Sequence, residues 1–135
     1  MAVPVFSTLC NAAFRLRRAV FITEQNVPED EEFDAYDLKA THVVALNSGE
    51  VCGTLRVIRD EEHIKIGRVV VAIAARGHGV ASAMIEFAIG LQPAGSRFYL
   101  TAQTDKTMLY EKFGFVAFGD IFDDGGMPHI AMKTY

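Results

Sequence analysis

The sequence lacks the features that mark several classes of protein. It has only two cysteines, Cys10 and Cys52, and they match neither a disulfide framework nor a zinc-ligand spacing, so a reducing, cytoplasmic location is expected. Its 17 acidic residues outnumber its 13 lysines and arginines, and the net charge of −4 disfavours a nucleic-acid-binding protein. No apolar run approaches the roughly 20 residues of a membrane-spanning helix, and no basic segment precedes an apolar stretch at the start. These absences predict a protein that uses no metal ion, nucleic acid or membrane.

Length and composition favour one domain over residues 1–135. The chain contains no internal repeat, no low-complexity tract and no linker rich in proline, glycine or serine. Half of the residues are hydrophobic and 22% are charged, which is typical of a folded domain. A chain of 135 residues is long enough to bury one ordinary core.

The spacing of apolar residues predicts a mixed α/β fold. Apolar residues three and four apart predict an amphipathic helix over 9–24, with Ser7 or Thr8 as its N-cap, after a very short strand over 3–6. Short turns separate strands predicted over 41–46, 51–58 and 64–73, which favours an antiparallel meander. The later elements are predicted as a helix over 80–91, a strand over 97–102, a helix over 106–113, and strands near 115–118 and 130–133.

With a short helix in the acidic stretch described below, this order is β-α-α-β-β-β-α-β-α-β-β. It predicts a mixed sheet with helices on both faces. The very short first strand leaves an edge that is either incomplete or completed by a partner, such as a second copy in a homodimer.

The segment 76–81 has the pattern R-x-x-G-x-A and lies between a predicted strand and the start of a predicted helix. Gly77 and Gly79 allow the backbone to turn tightly and to approach a ligand closely. The backbone N–H groups that would converge at the helix N-terminus belong to Gly77, His78, Gly79, Val80 and Ala81. Such a terminus suits a phosphate or pyrophosphate, and Arg76 adds a positive charge beside it. The alternative is a tight turn that needs glycine for steric reasons alone.

Two other phosphate-binding motifs do not fit this turn. A P-loop requires a Gly-Lys pair, and the sequence contains none. A dinucleotide-binding fingerprint requires a third glycine where Ser82 stands, and it opens a βαβ unit, whereas three antiparallel strands are predicted before this turn. An oxidoreductase that binds a nicotinamide cofactor is therefore not expected.

An acidic stretch follows Pro28 and comprises Glu29, Asp30, Glu31, Glu32, Asp34 and Asp37. Proline marks the start of a new element, and a short helix is expected here. A charge run of this kind is either a solvated face or a negative rim that attracts a cationic substrate.

The turn at 76–81, the Val69-Val70-Val71 run before it, and Tyr110 followed by Gly114-Phe115 together resemble the GNAT superfamily of acetyl-CoA-dependent N-acetyltransferases. Shorter motifs are similar to the small bacterial ElaA/YjcF-type group: RAVFITEQ at 18–25, EFD at 32–34, GTLR at 53–56, KIGR at 65–68, TAQT at 101–104 and MPH at 127–129. The N-terminal half also resembles, more distantly, the acyl-homoserine-lactone synthases.

This resemblance implies transfer of an acetyl group from acetyl-CoA to a primary amine, which attacks the thioester directly in a ternary complex. It implies that the backbones of Val69 and Val71 hold the pantetheine arm, with Val71 polarising the acetyl carbonyl. It also implies that the amides of 77–81 hold the CoA pyrophosphate and that Gln103 contacts CoA. Tyr110, a phenol that can donate a proton, stands where the family's general acid protonates the leaving thiolate. The alternative for Tyr110 is a half-buried aromatic residue with a satisfied hydroxyl.

The general base is left open, because many GNAT enzymes carry a glutamate on the strand before the phosphate turn and residues 64–75 contain no carboxylate. Glu24, His42, His129 or a water chain are candidates for the base. Glu24, His42, Arg56 and His129 are also candidates for lining the acceptor site. Each histidine is equally compatible with a structural role. The missing base supports an alternative function, a CoA-binding module with a sensing or interaction role and little turnover.

Overall fold

Over residues 1–28 and 32–135, which the computed structural model describes, the chain forms one seven-stranded mixed sheet. The strands are β1 (Ala2–Val3), β2 (Thr41–Asn47), β3 (Glu50–Arg59), β4 (Ile64–Val71), β5 (Phe98–Gln103), β6 (Val116–Asp124) and β7 (Met127–Lys133). Their order across the sheet is β1-β2-β3-β4-β5-β7-β6, and neighbours are antiparallel except for β4 and β5, which are parallel. The predicted α/β class with a mixed sheet is confirmed.

Helical segments connect the strands. The α-helices are α1 (Thr8–Arg17), α2 (Val80–Gly90) and α3 (Thr107–Glu111), α1 continues as a π-helical turn (Arg18–Glu24), and short 3-10 turns lie at Ala35–Leu38, Ile73–Ala75 and Thr104–Lys106. Ser7 caps α1, because its hydroxyl accepts the Cys10 N–H at 3.2 Å. None of the helices in the described part of the chain is long and apolar enough to cross a membrane.

The two faces of the sheet carry different helices, as predicted. Leu55 and Val57 of β3 pack with Met84 and Ile85 of α2 in the main hydrophobic core. Gly53 permits this close packing, since a Cβ there would lie 2.9 Å from the Met84 Cε atom. Side chains alternate along a strand, so the intervening residues of β2 and β3 point to the opposite face, toward α1.

The last hairpin differs from its prediction. The strand predicted near 115–118 extends over Val116–Asp124, and every one of its residues is exposed. Three β6 residues, 119–121, stand opposite one residue of β7 between the Phe118↔Ala131 and Phe122↔His129 pairs, and Gly119 has a φ of 75°. This bulge interrupts the alternation of apolar and polar residues along β6. The strand predicted from that alternation was therefore too short at its C-terminal end. The very short first strand is present at the edge of the sheet, but it lies at Ala2–Val3 and not over the predicted 3–6.

Candidate active site

A cavity of about 530 Å³ opens between the C-terminal halves of β4 and β5. The predicted site residues that line it are Glu24, Val69, Val71, Arg76, Gly77, Gly79, Val80, Ala81, Gln103, Tyr110 and His129. They come from the π-helical turn, β4, the turn before α2 together with the first residues of α2, β5, α3 and β7. The fold therefore brings residues from six separate segments to one place.

The cavity exists because the two parallel strands separate. β4 pairs with β5 at Ile64↔Phe98 and Lys65↔Tyr99, near the start of each strand. On the other side of β4, the Ala72 N–H donates to the Cys52 carbonyl of β3 at 2.8 Å. Successive residues of a strand direct their backbone groups to opposite sides, so those of Val71 and Val69 point away from β3, into the gap. Amide and carbonyl groups of a strand edge thus face the cavity.

The turn before α2 presents further amide groups. Gly77 and Gly79 have φ angles of 80° and 78°, in the left-handed region that glycine adopts without strain. Gly79 is the N-cap of α2, and the first turn of this helix carries no acidic residue. The first amides of α2 lack intrahelical partners and are suited to an anion.

Arg76 stands at the entrance to this turn and is held by two partners. Its Nε donates to the Val71 carbonyl at 2.9 Å, and its two terminal nitrogens donate to the two carboxylate oxygens of Glu24, each at 3.0 Å. The hydrogen bonds from Arg76 lower the pKa of Glu24, so this carboxyl is ionised at neutral pH. The predicted phosphate-binding arginine is therefore paired with a predicted acceptor-site residue.

Tyr110, on α3, lines the inner part of the cavity. Its ring packs edge-on against Phe115, with centroids 6.2 Å apart, and the residue is only 8% exposed. Burial raises the pKa of Tyr110 to about 12, so the phenol keeps its proton throughout the physiological range. A protonated phenol in a cavity can act as an acid.

His129, on β7, also lines the cavity, and one of its ring nitrogens is already engaged. Its Nδ1 lies 2.9 Å from the Met127 carbonyl oxygen, which can only accept a hydrogen bond. A neutral imidazole in this position carries its proton on Nδ1, and its Nε2 is left as an acceptor. The neighbouring Gln103 side chain donates to the Gln25 side chain at 3.3 Å.

Three predicted residues do not lie in the cavity. His42 is 1% exposed, and its Nε2 is bonded to the Asp37 carbonyl at 2.8 Å, so it has the structural role that the sequence left open. Arg56 is buried beneath the site, where its guanidinium binds Asp34 and Asp37. The side chains of His42 and Arg56 lie on the α1 side of the sheet. Each is next in sequence to a residue whose side chain points into the main core on the other face. His78 is exposed in the turn before α2.

For Glu32 and Asp37, the structure differs from both predicted forms of the acidic stretch. Glu29, Asp30 and Glu31 lie outside the described residues. Glu32 and Asp37 are neither a solvated face nor a rim, because Arg17 binds both of them at 2.8 and 2.7 Å. We call the group Arg17, Glu32, Asp34, Asp37, Arg56 and Arg68 the ion cluster.

Burial and the arginines act in opposite directions on the acids of the ion cluster. Burial raises the pKa of Glu32, and the hydrogen bond from Arg17 offsets only part of this effect. For Asp37, burial is again the largest influence, but the hydrogen bonds and charges of Arg17 and Arg56 together outweigh it and lower the pKa. The arginines of the cluster are therefore needed to keep its acids ionised.

Arg68, on β4, lines the cavity and also binds Glu32 of the acidic stretch, two roles between which the sequence does not decide. Between the Thr54↔Val70 and Arg56↔Gly67 pairs, Arg68 and Val69 of β4 stand opposite the single residue Leu55 of β3. This bulge places Arg68 at a φ of 52°, which is unusual for a residue with a side chain, and its guanidinium lies 3.3 Å from Glu32. Strained residues of this kind cluster at functional sites. The glycine at position 67, inside a strand, is the one signal in the sequence for such a bulge.

We expect two substitutions at position 68 to separate backbone strain from side-chain contacts. Arg68→Ala and Arg68→Gly both remove the guanidinium, but only glycine adopts the positive φ freely. The strain of roughly 1–2 kcal/mol exceeds the extra entropy that glycine loses on folding, which is about 0.5–1 kcal/mol. The glycine variant should therefore have the larger free energy of unfolding, by about 0.5–1 kcal/mol, in urea denaturation. An alanine variant as stable as the glycine variant would show that the bulge relaxes when the side chain is removed.

The sequence is similar to a known protein family and to individual bacterial proteins over most of its length. A sequence profile of the acetyltransferase (GNAT) domain matches residues 10–135. The chain is 33% identical to protein ElaA of Escherichia coli over 130 residues, which cover 90% of this chain and 84% of ElaA. It is 32% identical over 123 residues to the uncharacterized N-acetyltransferase YjcF of Bacillus subtilis, covering 89% of this chain and 88% of YjcF.

Solved structures show the same relationship. An acyl-CoA N-acyltransferase from Pseudomonas aeruginosa superposes with a TM-score of 0.89 at 31% identity, over 100% of this chain and 97% of the other. The crystal structure of Escherichia coli ElaA superposes with a TM-score of 0.90 at 27% identity, over 100% and 98% of the two chains. The profile match over most of the chain, the separated parallel strands and the amide-lined turn before α2 lead to one conclusion. This protein belongs to the GNAT family of acetyltransferases.

Proposed function

We propose that this protein transfers the acetyl group of acetyl-CoA to a primary amine, which attacks the thioester directly in a ternary complex in the cytoplasm. The observation that carries this proposal is the continuity of the cavity. It runs from the amides before α2, along the free edge of β4, to Tyr110 and His129. Acetyl-CoA carries complementary groups in the same order: a diphosphate for the amides, an amide-rich arm for the strand edge, and a reactive thioester for Tyr110 and His129.

CoA would be held by backbone groups and by the side chains of Arg76 and Gln103. The amides at 77–81 face the place for the diphosphate, and the groups of Val69 and Val71 that point into the gap would pair with the pantetheine amides. The Val71 N–H is directed so that it can polarise the acetyl carbonyl, and Gln103 is close enough to the cavity to contact the arm. Bound acetyl-CoA supplies an activated acetyl group, and holding it beside the amine provides much of the rate.

The two proton transfers fall to two residues that line the cavity, His129 on β7 and Tyr110 on α3. His129 has its Nδ1 proton directed to the Met127 carbonyl, so its Nε2 is available to accept the proton of the attacking amine. Tyr110, kept protonated by burial, donates to the departing thiolate. The general base then comes from β7, because β4 (Ile64–Val71) contains no carboxylate that could serve as one.

The proposal is tested by the release of CoA from acetyl-CoA in the presence of a panel of primary amines. The panel contains small amines, polyamines, aminoglycosides, peptides with a free N-terminus and lysine. We expect at least one amine to give a saturable rate and an acetylated product that mass spectrometry identifies. Propionyl-CoA and longer acyl donors in parallel assays determine whether acetyl is the preferred group.

We expect His129→Gln to lower kcat for the best amine about tenfold or more, because glutamine cannot accept the amine proton. Its amide can still donate to the Met127 carbonyl, so the hairpin keeps its hydrogen bond. His63→Gln is the matched control, since His63 lies at the other end of the sheet, against Tyr99 and Tyr135. Equal kcat values for the two variants would remove His129 from the mechanism.

A second candidate function is a CoA-binding module with a sensing or interaction role and little turnover. The specific observation that favours it is the absence of a carboxylate in Ile64–Val71. The two functions differ in one outcome. A sensing module binds CoA but gives no acetylated product with any amine of the panel.

A further inference from the structure

We infer that Glu24 competes with CoA for Arg76 and that, once displaced, its carboxylate binds the ammonium group of the acceptor. CoA would then create the acceptor site when it binds. This inference rests on the proposed function and adds to it the order in which the two substrates bind.

The starting observation is the pairing of Arg76 with Glu24 and Val71. The guanidinium of Arg76 binds both oxygens of Glu24 at 3.0 Å and the Val71 carbonyl at 2.9 Å. Both charged side chains line the cavity, and they belong to segments 52 residues apart in the chain. The ion pair therefore links the end of the π-helical turn to the residue that precedes the phosphate turn.

This pairing uses the groups that CoA needs. A guanidinium fork matches a carboxylate or a phosphate equally well, but it can bind only one of them through both nitrogens. The Val71 carbonyl faces the gap in which the pantetheine arm would lie, and Arg76 occupies it as well. In addition, the negative charge of Glu24 repels an incoming diphosphate. Glu24 thus holds Arg76 in a state that CoA has to displace.

Displacement leaves a carboxylate where a cation is needed. Glu24 shares the cavity with His129 and Tyr110, the residues proposed for proton transfer. Three other acids line the cavity: Glu32, which Arg17 and Arg68 bind and which is 2% exposed, and the exposed Asp105 and Asp124. Glu24, with its side chain about one-third exposed, is the cavity acid that binds Arg76, so it is the carboxylate that CoA binding would release. A primary amine arrives as an ammonium ion at neutral pH, and a carboxylate released from Arg76 would bind it.

The first arm of the test measures CoA binding by calorimetry in wild type, Glu24→Gln and the control Glu86→Gln. Glu86 is an exposed acid on α2, so its variant has the same change in net charge. We expect Glu24→Gln to bind CoA about two- to fivefold more tightly, because an exposed ion pair no longer has to be broken. Glu86→Gln should bind CoA with the affinity of wild type.

The second arm measures binding of propylammonium ion by NMR, with and without saturating CoA. In wild type, CoA should strengthen binding of this probe at least fivefold, and the Glu24 carboxyl carbon should shift when CoA is added. In Glu24→Gln the effect of CoA on the probe should disappear. Both variants change exposed side chains, and thermal melts check that they remain folded.

The outcomes separate this inference from the proposed function. A wild-type protein that does not bind CoA contradicts the proposed function itself. Normal CoA binding that Glu24→Gln leaves unchanged, or probe binding that is independent of CoA, overturns the inference and leaves the proposed function standing.

Discussion

Replacing Tyr110 with phenylalanine should lower kcat roughly 100-fold, since a positioned general acid typically contributes at least this factor. The substitution removes only the hydroxyl, and the ring keeps its edge-on contact with Phe115, 6.2 Å between centroids. The affinity for CoA should therefore change little. Burial raises the pKa of Tyr110 to about 12, so wild-type activity should not decline through loss of this proton below about pH 10.

Tyr99→Phe is the matched control for this experiment. Tyr99 is a half-buried phenol on β5 that stacks on His63 at 4.6 Å, and it does not line the cavity. Steady-state kinetics with an amine from the panel should show a large loss for Tyr110→Phe and almost none for Tyr99→Phe. If the two variants turn over equally fast, Tyr110 is a packing residue and the thiolate takes its proton from water.

Replacing Arg17 with alanine should lower the free energy of unfolding by about 3–5 kcal/mol, because it breaks buried ion pairs and leaves each of two buried acids with one arginine fewer. Arg17 is 1% exposed, and it donates to Glu32 at 2.8 Å and to Asp37 at 2.7 Å. It also donates to the Glu32 carbonyl at 2.8 Å, an acceptor that it shares with Arg68 at 3.2 Å, so its loss removes the shorter of two hydrogen bonds. Urea denaturation monitored by circular dichroism measures this change.

Two further variants make the Arg17 result interpretable. Arg15→Ala, on the exposed side of α1, should change the free energy of unfolding by less than about 0.5 kcal/mol. Arg17→Lys keeps the charge but loses the fork that binds two acids at once, so its stability should lie between those of wild type and Arg17→Ala. A loss below about 1 kcal/mol for Arg17→Ala would show that water enters the ion cluster and solvates its acids.

The strand-turn-helix part of the site could be predicted from the sequence because its signals are local. Two glycines after a β-branched run, followed by a helical pattern, predict a turn with free amides, and Gly77 and Gly79 do adopt positive φ angles. The gap at β4 followed from the family resemblance. Apolar periodicity alone does not show where two parallel strands separate.

The rest of the site depends on contacts between distant residues. Arg17 and Asp37 are 20 positions apart, and Arg56 and Asp34 are 22 apart, so local spacing in the sequence does not reveal that these residues bind each other. The π-helical turn over Arg18–Glu24 has the same apolar spacing as an ordinary helix, and only its hydrogen bonds differ. The sequence could not exclude His42 and Arg56 from the cavity. A shift of one residue in strand register moves a side chain to the other face of the sheet, and apolar spacing does not determine the register that closely.

The central claim is that the turn before α2 and the free edge of β4 bind CoA. Titration of uniformly ¹⁵N-labelled protein with CoA, followed through its backbone amide resonances, tests this claim without any mutation. We expect saturable shifts concentrated at the amides of Gly77, Gly79, Val80 and Ala81, and at those of Val69 and Val71. An absence of saturable shifts, or shifts confined to surfaces away from this cavity, would contradict the account.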